Sequence, residues 1–134
     1  MYLIDTNIFL EVLLSGYRKD ECERFLNRLK NGKALGAVTD FSIHSILVIM
    51  EGFGRRRELK LFLRSLLAYK GLSMYATTLM DEVSAIDISF EANLDLDDAI
   101  QYHVASMLKA DGIVSFDKHF DGLKISRLEP SQIL

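Results

Sequence analysis

What the chain lacks narrows its class before any motif is considered. Its 134 residues hold one cysteine, Cys22, so no internal disulfide can form, and one thiol with three scattered histidines cannot build a zinc site of the usual spacing. Cys22 is expected to pack in the core. Long hydrophobic runs are missing too: the longest is Ile46 to Met50, and the N-terminus carries Asp5 and Glu11 rather than a basic leader. Neither a membrane span nor a signal peptide is expected, and the chain reads as cytoplasmic. Compositional bias is absent as well. Hydrophobic residues make up 49% and charged residues 26%, which suits a core and excludes fibrous and low-complexity classes. The length implies one domain over residues 1–134.

No excess of positive charge marks a nucleic-acid binder. The net charge is −3, from 16 basic and 19 acidic residues, but it is unevenly spread: Arg18 to Lys70 carries a balance of +6 and the remainder −9. A basic stretch able to attract phosphate is thus joined to an acidic remainder.

The pattern of elements is strand alternating with helix. Leu3 and Ile4 form a short continuous apolar strand, as buried parallel strands do, and Asp5 stands at its end. Asp5-Thr6-Asn7 are cap types before a helix with Ile8, Phe9, Val12 and Leu13 at helical spacing. A helix from Arg18 to Lys30, a strand over Ala34–Val38, and an apolar helix from Thr39–Asp40 to about Gly52 follow. Next come a helix over Arg56–Tyr69, a strand at Leu72–Tyr75, and a helix from Thr77 to Phe90. A further helix is entered through Asp95 and Asp98 at N-cap and N3 spacing, followed by a strand from Gly112 to Phe116 ending at Asp117 and a last strand over Leu123–Leu128 before Pro130. This order predicts a three-layer α/β/α fold with a mainly parallel central sheet.

In such sheets ligands bind beyond the C-terminal strand ends, where Asp5 and Asp117 fall, and Asp98 in a first helical turn reaches the same crevice if its helix points there. Three converging carboxylates repel one another unless a cation lies among them, and oxygen-only ligands suit Mg²⁺ or Mn²⁺. That points to metal-assisted phosphoryl transfer to water. The plainer alternative makes Asp5 a cap, Asp95 and Asp98 a capping pair and Asp117 a turn former.

The order Leu3-Ile4-Asp5-Thr6-Asn7-Ile8-Phe9, then Asp98-Ala99-Ile100 opening a helix, then Gly112-Ile-Val-Ser-Phe-Asp117-Lys-His-Phe120, resembles the PIN-domain family, which includes the toxin nucleases of VapBC-type toxin–antitoxin pairs. The resemblance spans essentially the whole chain. It implies a Mg²⁺- or Mn²⁺-dependent endoribonuclease in which Asp5, Asp98 and Asp117 bind metal and orient water toward an RNA phosphodiester. It also implies that Thr6 and Asn7 shape the first turn and that Ser115 takes the family's hydroxyl position. Partners implied are RNA, an antitoxin protein and a second copy of the chain.

One departure stands out. The family pattern resembling Ser-x-x-Thr-x-x-Glu, laid on Thr39 to Ser45, matches hydroxyls at Thr39 and Ser42 but puts Ser45 where a Glu is usual. Glu51 cannot replace it, because six residues along a helix turn it by about −120° and shift it ~9 Å. Weaker metal binding, recruitment of Asp40, Asp97 or Asp121, or a catalytically inactive RNA- or protein-binding module are the alternatives. Asp97 is the lesser of these, facing about 100° from Asp98, whereas Asp121 returns to the site if Lys118–Asp121 form one turn.

Among other candidates, Asp5-Thr-Asn7 faintly resembles the nucleophile loop of haloacid-dehalogenase-type phosphatases, but Asn7 stands where that family needs a second Asp. His44, His103 and His119 read as surface or packing histidines, His44 being the best exception beside Ser45. Arg55, Arg56 and Arg57, with Lys60 and Arg64, serve equally as an RNA phosphate contact or as a solvated helix face.

Overall fold

A computed structural model describes residues 1–133. Apolar runs too short for anything but buried strands alternate with segments of helical spacing, and the chain folds accordingly. The elements are β1 (Tyr2–Ile4), α1 (Thr6–Leu13), α2 (Lys19–Lys30), β2 (Gly36–Thr39), α3 (Asp40–Gly52), α4 (Arg56–Leu66) and β3 (Leu72–Tyr75). They continue with α5 (Leu79–Ala92), α6 (Leu96–Met107), β4 (Gly112–Val114) and β5 (Arg127–Leu128), with 3₁₀ turns at Lys118–Phe120 and Pro130–Gln132. The five strands are ordered β3-β2-β1-β4-β5 and every pairing is parallel.

The continuous apolar strands are explained by cover on both faces. Ile4, Val38 and Val114 point into a core with Ile8, Phe9, Phe25, Leu29, Ile46 and Met50 from α1, α2 and α3. Their neighbours Leu3, Ala37 and Ile113 point the other way, onto Val104 and Ala105 of α6 and onto Phe120. A third cluster, Ala85, Leu94, Ala99 and Ile100, joins α5 to α6, and Phe41 at the start of α3 packs against it. Cys22 is fully buried, as expected, and burial pushes its thiol up to about 12. Among the described residues no helix is long and apolar enough to cross a membrane.

Several boundaries differ from the sequence expectation. Helix α4 stops at Leu66 instead of Tyr69, and β2 lies at Gly36–Thr39 instead of Ala34–Val38. The last strand, expected over Leu123–Leu128, is two residues long, since only Arg127 and Leu128 pair with β4. Strand β4 ends at Val114, although the Ser115 amide still donates to the Leu128 carbonyl at 3.0 Å. Helix α5 is set by Thr78 and Asp81, whose side chains and backbone amides cap each other reciprocally.

The strand order reverses at β1, with β2 and β3 on one side and β4 and β5 on the other. A crevice therefore opens beyond the C-terminal ends of β1 and β4.

Candidate active site

Asp5 follows the last residue of β1 and stands at the N-cap of α1, yet its side chain makes no capping bond. It is 4% exposed and held from two directions. Ser115 Oγ, just past β4, donates to Oδ2 at 2.6 Å, and Gln101 Nε2 from α6 donates to Oδ1 at 2.9 Å. Burial raises the Asp5 pKa above its usual value, and these two donors oppose that rise.

Asp98 stands at the third position of α6, where a capping box with Asp95 was one expectation. Asp95 is the N-cap residue, but its side chain makes no capping bond. The Asp98 carboxylate turns to the crevice instead, where burial, then the charges of Asp117 and Asp5, push its pKa up to about 6. Asp117 caps the short 3₁₀ turn, accepting from the His119 amide at 2.9 Å, while its own amide donates to Ser115 Oγ at 2.9 Å. Ser115 thus ties the ends of β1 and β4 together, with its hydroxyl donating to one acid and accepting from the backbone of another.

The three aspartates line one cavity of about 630 Å³, together with Thr6, Asn7, Ser45 and Gln101. His119, read from sequence as a surface or packing histidine, belongs to the same group: its Nδ1 lies 3.1 Å from Asp117 Oδ1 and 3.5 Å from Asp98 Oδ2. One donor atom each from Asp98, Asp117 and His119 falls within 4.8 Å of the others. Asp5 lines the same cavity outside that tight group, and its two oxygens accept from Ser115 and Gln101.

The residues fit a hard divalent cation. Like-charged carboxylates are held together with a pKa displaced upward, and the buried Gln101 Oε1 has no hydrogen-bond partner among the described residues. Gln101 was missed from sequence. Its only signal was its position three residues after Asp98, one helical turn along the same face.

Other candidates fall elsewhere. Thr39 and Ser42, matched to hydroxyl positions of the family pattern, cap α3: the Ser42 amide donates to Thr39 Oγ1 at 3.0 Å. Ser45 does reach the cavity, but its hydroxyl donates to the Phe41 carbonyl one turn back at 3.0 Å. Asp121 does not return to the site. It leaves the 3₁₀ turn outward and accepts from Arg127 Nε at 2.7 Å. Asp40 is likewise diverted, accepting from the Thr77 amide and hydroxyl at 3.0 and 2.9 Å. Asp97, the lesser candidate from its helical angle, is exposed and lines the cavity rim. Glu51 is exposed at the far end of α3 and pairs with Arg56. Arg55, Arg56 and Arg57 line a separate concavity with Glu51 and Glu58, so no arginine lines the acidic cavity.

Comparison with known proteins agrees with this fold. Residues 1–119 match the model of a family described as PIN domain. No curated protein matches the chain in sequence. Among solved structures, the Mycobacterium tuberculosis toxin VapC20, described as cleaving the sarcin-ricin loop, is similar with a TM-score of 0.78 at 13% identity, over 97% of this chain and 100% of that one. A toxin–antitoxin complex from Klebsiella pneumoniae gives 0.72 at 18% identity, over 97% and 98% of the two chains. VapBC2 from Rickettsia felis, bound to a promoter DNA fragment, gives 0.71 at 13% identity, over 96% and 97%. Strand order, helix cover and a family match over most of the length agree, and the chain belongs to the PIN-domain family.

Proposed function

We propose that the protein is a divalent-metal-dependent endoribonuclease and that Asp5, Asp98 and Asp117 are its metal-holding acids. The observation that carries this reading is the convergence of those three carboxylates, from β1, α6 and the segment after β4, on one cavity. Family membership and the described activity of VapC20 support it. A bound Mg²⁺ or Mn²⁺ supplies charge neutralisation of the phosphodiester and activation of water. Asp98 and Asp117 would hold the ion, and Asp5 would add its buried charge to the same cavity. Ser115 and Gln101 fix the Asp5 carboxylate, and the Ser115–Asp117 backbone bond sets the approach of the last acid. Thr6 and Asn7 form the first turn of α1 on the cavity lip.

Arg55, Arg56 and Arg57, at the start of α4, are proposed as a phosphate contact for RNA in a concavity separate from the catalytic cavity. An antitoxin partner is proposed from the toxin–antitoxin complexes that share the fold. A homodimer is proposed through α5, whose Leu79, Met80, Val83, Ile86 and Phe90 form an exposed apolar stripe. The setting is the cytoplasm.

The test is incubation with single-stranded RNA and Mn²⁺ or Mg²⁺. Cleavage is expected with metal, is abolished by chelation, and is lost in Asp117→Asn and Asp5→Asn. Undiminished cleavage by either variant contradicts the assignment. A second reading, an inactive RNA- or protein-binding module, is favoured by Ser45, which brings no charge and engages its own helix backbone. RNA binding without metal-dependent cleavage selects it.

A further inference from the structure

The cavity is larger than its acids require. A divalent ion with its ring of oxygen ligands at ~2.1 Å fills roughly 150–200 Å³, against about 630 Å³ in all. The remaining space is bounded by α3, which contributes Phe41, His44, Ser45, Val48 and Ile49. Positions 41, 45, 48 and 49 recur at i, i+4, i+7 and i+8, one face of a helix. None of these α3 residues carries a carboxylate. The Ser45 hydroxyl donates to the Phe41 carbonyl, and Val48 stands 72% exposed on the cavity lining.

The cavity is therefore divided by chemistry, with carboxylates from β1, α6 and the post-β4 segment on one part and an uncharged wall with an exposed imidazole on the other. We propose that the α3 wall is a nucleobase subsite, in which an unpaired base of the RNA stacks on His44 and packs on Val48 and Ile49 while its phosphodiester lies over the acids. This rests on the nuclease reading and names the form of substrate it favours: a nucleotide free of a duplex, since a paired base would first pay the cost of unpairing and unstacking to reach the wall. Charge complementarity selects the occupant. The anionic phosphate goes to the cation held by the acids, and the neutral aromatic base goes to the surface that offers neither repulsion nor an unmet charge. With a glutamate at position 45 the same wall would carry a negative charge; Ser45 leaves it neutral.

The test compares two short single-stranded 2′-fluoro oligonucleotides in Mn²⁺, one with 2-aminopurine at a central position and one abasic there. Binding is read by anisotropy and by 2-aminopurine fluorescence, and Mn²⁺ affinity separately by electron paramagnetic resonance. The base-bearing probe is expected to bind about tenfold more tightly, as stacking of a single base implies. The His44→Ala/Val48→Ala variant is expected to erase that difference and the fluorescence change while holding Mn²⁺ with wild-type affinity. Equal binding of the two probes with Mn²⁺ affinity intact overturns the subsite and leaves the nuclease reading standing. Loss of saturable Mn²⁺ binding by the wild-type chain overturns both.

Discussion

Asp98 illustrates how a single residue can oppose the stability of its own fold. Its carboxyl, 8% exposed and facing two other acids, has a pKa pushed from 3.8 to about 6. The folded chain therefore binds more protons than the unfolded chain between those values, so stability falls as pH rises from about 4 to about 6. Asp98→Asn is expected to raise the melting temperature of the metal-free protein at pH 8. Because the cavity mouth is open to water, the gain is on the order of 1 kcal/mol, a few degrees for a domain of this size. Thermal scans at pH 5 and pH 8 check it: a lower melting temperature of the variant at pH 8 contradicts the account. Gln101→Leu tests the neighbouring contact. It removes the donor to Asp5 Oδ1 and is expected to weaken Mn²⁺ binding about tenfold or more in a titration, with unchanged affinity as the contrary result.

At the scale of elements, two polar constellations hold the helices and loops that present the site. Asp81 at the start of α5 accepts from Tyr75 Oη and the Thr78 amide and sits 2.8 Å from His103 Nε2 of α6, clamping α5 to α6 and to the end of β3. The Thr78 amide, His103 and Tyr75 outweigh the effect of burial and hold the Asp81 pKa down at about 2. The stability from Asp81 is thus fully present above about pH 4 and is lost as pH falls toward 2. Asp81→Asn should therefore flatten the acid limb of the stability curve measured by denaturant titration; an acid limb as steep as the wild type's contradicts this.

The second constellation grips the loop carrying Asp117. Arg127 donates to the Ser115 carbonyl and to Asp121 and Glu129, while Arg18, bound to Glu129 and Glu21, lies 4.0 Å over the Phe116 ring. Arg127→Ala is expected to cost about 1–3 kcal/mol of stability, read by urea unfolding. A change below about 0.5 kcal/mol contradicts the clamp, being the ordinary effect of a surface substitution. Neither constellation was legible in sequence, because each joins residues far apart in the chain that only the folded crossovers bring together. No local pattern singles out Asp81 or Arg127, and Asp121, read as a candidate for the site, is held away from it by Arg127.

For the whole molecule, what the sequence disclosed was what local pattern and strand ends determine. Apolar runs at Leu3–Ile4 and Gly112–Val114 with acids after them imply a parallel sheet and a crevice, and the crevice is where Asp5 and Asp117 meet. The one-turn offset of Gln101 and the proximity of His119 depend on how α6 and the 3₁₀ turn dock, and a residue pattern does not encode that. Charge segregation is real along the chain, but its basic side chains do not line the acidic cavity. Arg55–Arg57 lie in a separate concavity, and the part of the basic segment that enters the cavity is the uncharged face of α3.

The central claim is that these acids jointly hold one divalent ion, and calorimetric titration of Mn²⁺ into the metal-free protein tests it most directly. One saturable site is expected, lost in Asp98→Asn and in Asp117→Asn and retained in Asp121→Asn and Glu51→Gln, whose side chains point to Arg127 and Arg56. Absence of saturable binding, or binding that survives Asp98→Asn and Asp117→Asn unchanged, would contradict the account.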